Sequence, residues 1–126
     1  MQGIWTPDVI DINTSRKYAI GANNCKFLRI GNYILVHGYI ECSGVGNFAP
    51  TSSFYINNLP FALKSYSNGL IDISIDGLTS SLALSGIVNT TDISVYKITG
   101  TGEYKRLVGE DVNSTPKIKF SGWYEI

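Results

Sequence analysis

Residues 27–42 read FLRIGNYILVHGYIEC, and the segment after the Gly-Asn step is apolar on both of its strand faces. Side chains alternate across a strand, so Ile34, Val36, Gly38, Ile40 and Cys42 point one way. Tyr33, Leu35, His37, Tyr39 and Glu41 point the other way, and only Glu41 is firmly hydrophilic. Such a strand needs two covers. Gly31-Asn32 separates two β-rich runs and reads as a two-residue hairpin turn with Gly in the first central position. That register sets Ile30 opposite Tyr33, Phe27 opposite Val36, Cys25 opposite Gly38 and Cys42 opposite Gly21.

The remaining chain repeats the pattern of short alternating runs between Gly, Asn, Ser, Thr and Pro clusters. Strands are predicted in IWTP, DVIDI, NCKFLRI, YILVHGYIEC, SFYIN, GLIDISI, SLALSGIV, DISVYKI and KIKFSGWYEI. Asp76-Gly77 reads as a tight-turn dipeptide, and Asn89-Thr90-Thr91-Asp92 as a four-residue loop. The longest loops are predicted at Ser43–Ser52, Leu59–Asn68 and Thr99–Ser114. No linker or repeat divides the 126 residues, so the reading is one domain over 1–126. Its fold class is an all-β antiparallel sandwich, jelly-roll-like.

Several function classes lose support at this level. Ten Lys+Arg balance ten Asp+Glu, so no net field draws nucleic acid or an anionic membrane. No apolar run approaches the ~20 residues that span a bilayer, and the start MQGIWTPDVI has no basic secretory n-region. Cys25 and Cys42 sit too far apart along paired strands to bridge, and read as reduced, small hydrophobes. His37 is the only histidine and has no partners placed for a triad or a metal site. Asp72 and Asp76 share strand parity, but LIDISID turns its isoleucines inward and these acids outward into water. Gly100–Glu103 (GTGE) lacks the Lys and helix of a phosphate cradle. Lys117 and Lys119 read as outward charges that face solvent or discourage edge pairing. The expectation is therefore no catalytic residue, no metal and no cofactor. Aromatic and amide residues in predicted loops, Asn47, Phe48, Tyr66, Asn68 and Tyr104, are the candidates for stacking on and hydrogen bonding to a glycan.

Four ordered segments carry a resemblance: GIWTPDV at 3–9, FLRIGNYILVHGYIEC at 27–42, INNLPFAL at 56–63 and IKFSGWYEI at 118–126. Together they resemble the C-terminal, distal-tip domain of tailed-bacteriophage tail fibres and tailspikes. The matching positions are Gly3, Trp5, Thr6 and Pro7; Phe27, Arg29, Ile30, Gly31 and Asn32; Gly38; Leu59, Pro60 and Phe61; and Phe120, Gly122 and Tyr124. The resemblance implies a homotrimeric β-sandwich on a virion, made in the host bacterial cytoplasm. It implies adsorption to a bacterial surface polysaccharide, which with the residue reading above is expected to be non-enzymatic; the alternative is a purely structural trimerisation clamp or capsid decoration that contacts other virion proteins. The Met a few residues before the Trp-Thr-Pro motif suits an excised domain, an internal translation product or a free-standing virion protein. On this reading Tyr33, Leu35, His37 and Tyr39, with Trp123 from the last strand, face a neighbouring subunit. A segment around Trp5 folded back over the strand is the competing cover.

Overall fold

In the computed structural model, which describes residues 1–43, 49–64 and 69–126, ten antiparallel strands form one hydrogen-bonded sheet. They are β1 (Gln2–Trp5), β2 (Val9–Asp11), β3 (Ile20–Ile30), β4 (Tyr33–Cys42) and β5 (Phe54–Ile56). The others are β6 (Leu70–Leu78), β7 (Ala83–Asn89), β8 (Asp92–Ile98), β9 (Tyr104–Arg106) and β10 (Val112–Glu125). The order across the sheet is β1-β3-β4-β10-β6-β7-β8-β5-β2, with β9 paired to β8.

That order forces a curl. The two end strands, β1 and β2, are consecutive in the chain and joined by Thr6, Pro7 and Asp8 alone. Laid flat, nine strands at ~4.8 Å spacing would set the ends roughly 38 Å apart. Four Cα steps reach at most ~14 Å. The sheet therefore bends into a half-barrel whose inner face is the core. Ile34, Val36, Ile40, Phe54, Ile56, Ile93, Ile118 and Tyr124 from strands all along the order are buried there. Opposite arcs of this single sheet stand where two sandwich layers were expected.

The β3–β4 hairpin forms in the expected register, with Ile30 opposite Tyr33, Phe27 opposite Val36 and Cys25 opposite Gly38. Gly31 holds φ of 58°, the positive value a primed turn needs in its first central position. At the far end an irregularity between Ile20 and Ala22 places Cys42 opposite Ile20 instead of Gly21. Gly38 is closely packed on its inner side. A Cβ there would lie 2.5 Å from Phe120 Cζ and 2.6 Å from Cys25 Sγ.

Three sequence expectations are corrected, and a fourth, for Lys117 and Lys119, is narrowed to its solvent-facing alternative. Asp76-Gly77 is no hairpin turn, because β6 runs on to Leu78. Gly77, at φ 116°, instead faces a bulge in β10 between Val112 and Lys117, where Asn113 packs against it. The segment Asn89–Asp92 closes as a two-residue turn, Asn89 pairing with Asp92 across Thr90-Thr91. Thr99–Ser114 is largely structured: it holds β9, a 3₁₀ turn at Gly109–Asp111 and the start of β10. Lys97 grips Asp111 at 2.9 Å, and the same carboxylate accepts the Val108 N–H at 2.9 Å. Finally, β10 lies between β4 and β6, so Lys117 and Lys119 face solvent from a central strand and guard no edge.

Two variants check this packing. Gly38→Val should lose about 1–3 kcal/mol in urea unfolding, because neither Phe120 nor Cys25 has room to retreat. Asp111→Ala should lose about 1–3 kcal/mol by leaving the partly buried Lys97 ammonium and the Val108 N–H without their acceptor.

Candidate functional site

The outer face of β3, β4, β10 and β6 can be read row by row from the strand register. Leu28, Leu35 and Trp123 are cross-strand neighbours, with Tyr33 beside Ile30 and Glu125 in the adjoining row. Leu70 extends this end on β6, and Ile4 extends it on β1 beside Lys26. The opposite end is polar. Lys26, His37, Ser121 and Asp72 make one row; Asn24, Tyr39, Lys119 and Ser74 the next; and Glu41, Lys117 and Asp76 the last.

This face has no cover within the described chain. Ile4 is 77% exposed, Leu70 64%, Tyr33 53% and Trp123 46%. The competing cover fails because Trp5 turns inward. Its ring meets Phe120 edge-on at 5.8 Å, and β1 extends the sheet beyond β3 instead of folding across β4. A groove of about 480 Å³ lies across β1, β3 and β4, bounded by Ile4, Lys26, Leu28, Leu35 and His37. A second, of about 590 Å³, lies on the β6–β7 side of Trp123.

The five interface candidates therefore separate. Tyr33, Leu35 and Trp123 share the apolar end, and His37 stands at its border. Tyr39 belongs to the polar end. Its hydroxyl donates to Glu41 Oε2 at 2.9 Å, which raises the phenol pKa, and the Lys119 ammonium lies 6.0 Å from its ring centroid. Ile4 and Leu70 were missed by sequence reasoning. Outward parity in LIDISID already pointed to Leu70, whereas Ile4 joins the patch only through the β1–β3 pairing.

Of the glycan candidates, Asn47, Phe48, Tyr66 and Asn68 lie outside the described residues. Tyr104 lies on β9 at the sheet margin and not in a loop. Its ring is 6.4 Å from that of Tyr96 on β8, and the Arg106 guanidinium sits 5.5 Å over Tyr96. The result is an exposed aromatic and cationic surface. Tyr96, which the sequence alone did not connect to Tyr104, enters through the β8–β9 register.

The remaining ionisable groups are placed as follows. Asp72 and Asp76 are exposed on the outer face, with Lys117 directly across from Asp76. Among the described residues, no cluster of His, Cys, Asp and Glu could hold a metal ion. Asp11 is buried and caps its own loop, accepting the backbone N–H groups of Asn13 and Thr14 at 2.8 and 3.2 Å. Burial, then the Asp11 carboxylate, pushes the Tyr18 hydroxyl far above the usual phenol range.

No protein-family profile matches the chain, and no curated protein sequence matches it. The fold is similar to part of the crystal structure of the Dettilon tailspike protein, with a TM-score of 0.78 at 20% identity. The likeness covers 99% of this chain and 23% of that one. The likeness is one of fold, at an identity too low to carry more. The chain spans less than a quarter of the length of that structure. No helix of the described residues is long and apolar enough to cross a membrane.

Both cysteines are buried, and burial pushes each thiol up to about 11. A raised thiol pKa keeps the thiolate scarce at pH 8. The native protein should leave both unreacted with an aromatic disulfide reagent at that pH, and titrate two thiols once unfolded in guanidinium. Fast reaction of either thiol in the native state would contradict this packing.

Proposed function

We propose that this chain is a bacteriophage tail module of the tailspike or tail-fibre type, non-enzymatic, which assembles as a homotrimer and contacts a host surface glycan. The observation that carries the reading is the whole-chain likeness to a segment of a tailspike. The uncovered apolar end of the outer face supports assembly, since contiguous apolar surface of this extent marks an interface more often than free surface. The glycan contact is assigned to the Tyr104 surface. Sugar rings stack on tyrosine faces, and Arg106 supplies hydrogen bonds to hydroxyl or carboxylate groups. Asp72 and Asp76 act as solvated surface charge that keeps the face soluble, and carry out no hydrolysis.

A second reading is a structural virion module with no ligand. It draws support from the motif residues: Trp5, Phe120 and Tyr124 are all buried, and Tyr124 donates to the Phe61 carbonyl at 2.8 Å to fasten the Leu59–Phe61 turn. They hold the fold together and mark no site.

Sedimentation velocity at micromolar concentration should give three times the 13.8 kDa chain mass. Host polysaccharide fragments should bind the wild type. Tyr104→Ala combined with Arg106→Ala should weaken that binding at least about tenfold, the loss of one stacking and one charged contact. A trimer with no affinity for any host polysaccharide would favour the structural reading. Cleavage of the polysaccharide by the isolated chain would overturn the non-enzymatic one.

A further inference from the structure

Building on the reading that copies of this chain assemble, we infer that the Trp123 indole of one copy seats in the cleft between β6 and β7 of a second copy. These two strands pair only at Leu70 with Ile87 and Ile71 with Gly86. Beyond that point β6 continues to Leu78 against β10, while the first residues of β7 bond to β8 alone. The sheet opens there into the groove of about 590 Å³, walled by Leu70, Asp72, Leu84 and Ser85. Leu70 and half-buried Leu84, which also packs against the core, give it apolar lining, and Asp72 and Ser85 border it with polar groups. An open groove with apolar lining and polar borders suits an indole, with its large hydrophobic body and single N–H donor. The chain's own Trp123 stands on the rim and leaves nearly half its surface in water.

The partner is a second copy for two reasons. Projecting indole and cleft lie side by side on one face, so the same surface offers both halves of the contact. The polar rows beside them are also neutral: Lys26, Lys117 and Lys119 are matched by Glu41, Asp72 and Asp76. Rows with equal numbers of both signs meet their own copy without net repulsion, whereas an anionic polymer finds no net positive potential there. Size agrees. The exposed Ile4, Ile30, Tyr33, Leu70 and Trp123 offer on the order of 500 Å² of the ~800 Å² a stable interface takes from each partner. The polar rows supply the rest.

Tryptophan fluorescence tests this on the intact chain. Of the two tryptophans Trp5 is buried, so acrylamide quenching reports mainly on Trp123. Quenching should fall several-fold as concentration drives assembly. Trp123→Ala should weaken association at least tenfold in sedimentation while keeping the wild-type far-UV spectrum. Ser85→Trp, which fills the cleft but retains Trp123, should weaken it equally. A mixture of the two variants should associate more tightly than either alone, because the Trp123 indole of the Ser85→Trp chain meets the unfilled groove of Trp123→Ala, which lacks only its own Trp123 rim. Assembled wild type whose Trp123 stays open to acrylamide would overturn the seat while leaving assembly standing. Wild type that remains monomeric with Trp123 open would overturn both. Trp123 protected only on adding host polysaccharide would assign the cleft to sugar and overturn the second-copy seat. Should Trp123→Ala fail to fold, the wild-type quenching curve still decides.

Discussion

The three-residue link from Trp5 to Val9 is the constraint on which the rest of the molecule depends. It ties together the two end strands of a nine-strand path, and so converts an open sheet into a half-barrel with a closed apolar interior. The residues at this link suit that role. Trp5 fills the inner face against Phe120, and Pro7 is buried with its backbone angle already fixed. Asp8 receives the Lys17 ammonium at 3.2 Å, while its backbone N–H donates to Asn57 Oδ1 at 2.7 Å. These contacts fasten the β2 side of the link to neighbouring segments.

With the curl set, β10 becomes the spine. It pairs β4 on one side and β6 on the other, and its inward residues Ile118, Phe120 and Tyr124 project into the centre. Close packing around it explains Gly38, whose missing side chain admits Phe120 and Cys25. It also explains the reach of Tyr124, whose hydroxyl holds the Phe61 carbonyl at 2.8 Å and is pushed up to about 12 by burial. The same strand carries Trp123 on its other face. Beyond its bulge, the strand therefore serves the core with its even-numbered residues and the uncovered surface with its odd-numbered ones.

Local features were legible wherever a residue type has one principal use. Gly31-Asn32 fixed the hairpin, and the alternation of LIDISID gave the burial of β6. Legibility failed where a residue type has two uses. Asp76-Gly77 suits a tight turn and a bulge equally well, and the choice was made by Asn113, which lies over thirty positions later in the chain. β9 escaped notice because YKR has no apolar alternation, all three residues being exposed at the sheet margin. The Tyr96–Tyr104 pairing was hidden for the same reason, since it exists only once β9 has docked on β8.

By itself, the sequence determined that β4 has two apolar faces, which of its residues share each face, and the register that joins it to β3. Those are consequences of a period of two and of a glycine at the turn, and they need no distant partner. Only the tertiary structure decided which face the chain covers for itself. Ile34, Val36 and Ile40 went to the interior because the curl turns their face into a core shared with Phe54, Ile56 and Ile93 from strands far along the sheet order. Among the described residues Tyr33 and Trp123 were left in water, and β1 does not cover them because it uses its backbone hydrogen bonds to extend the sheet beside β3.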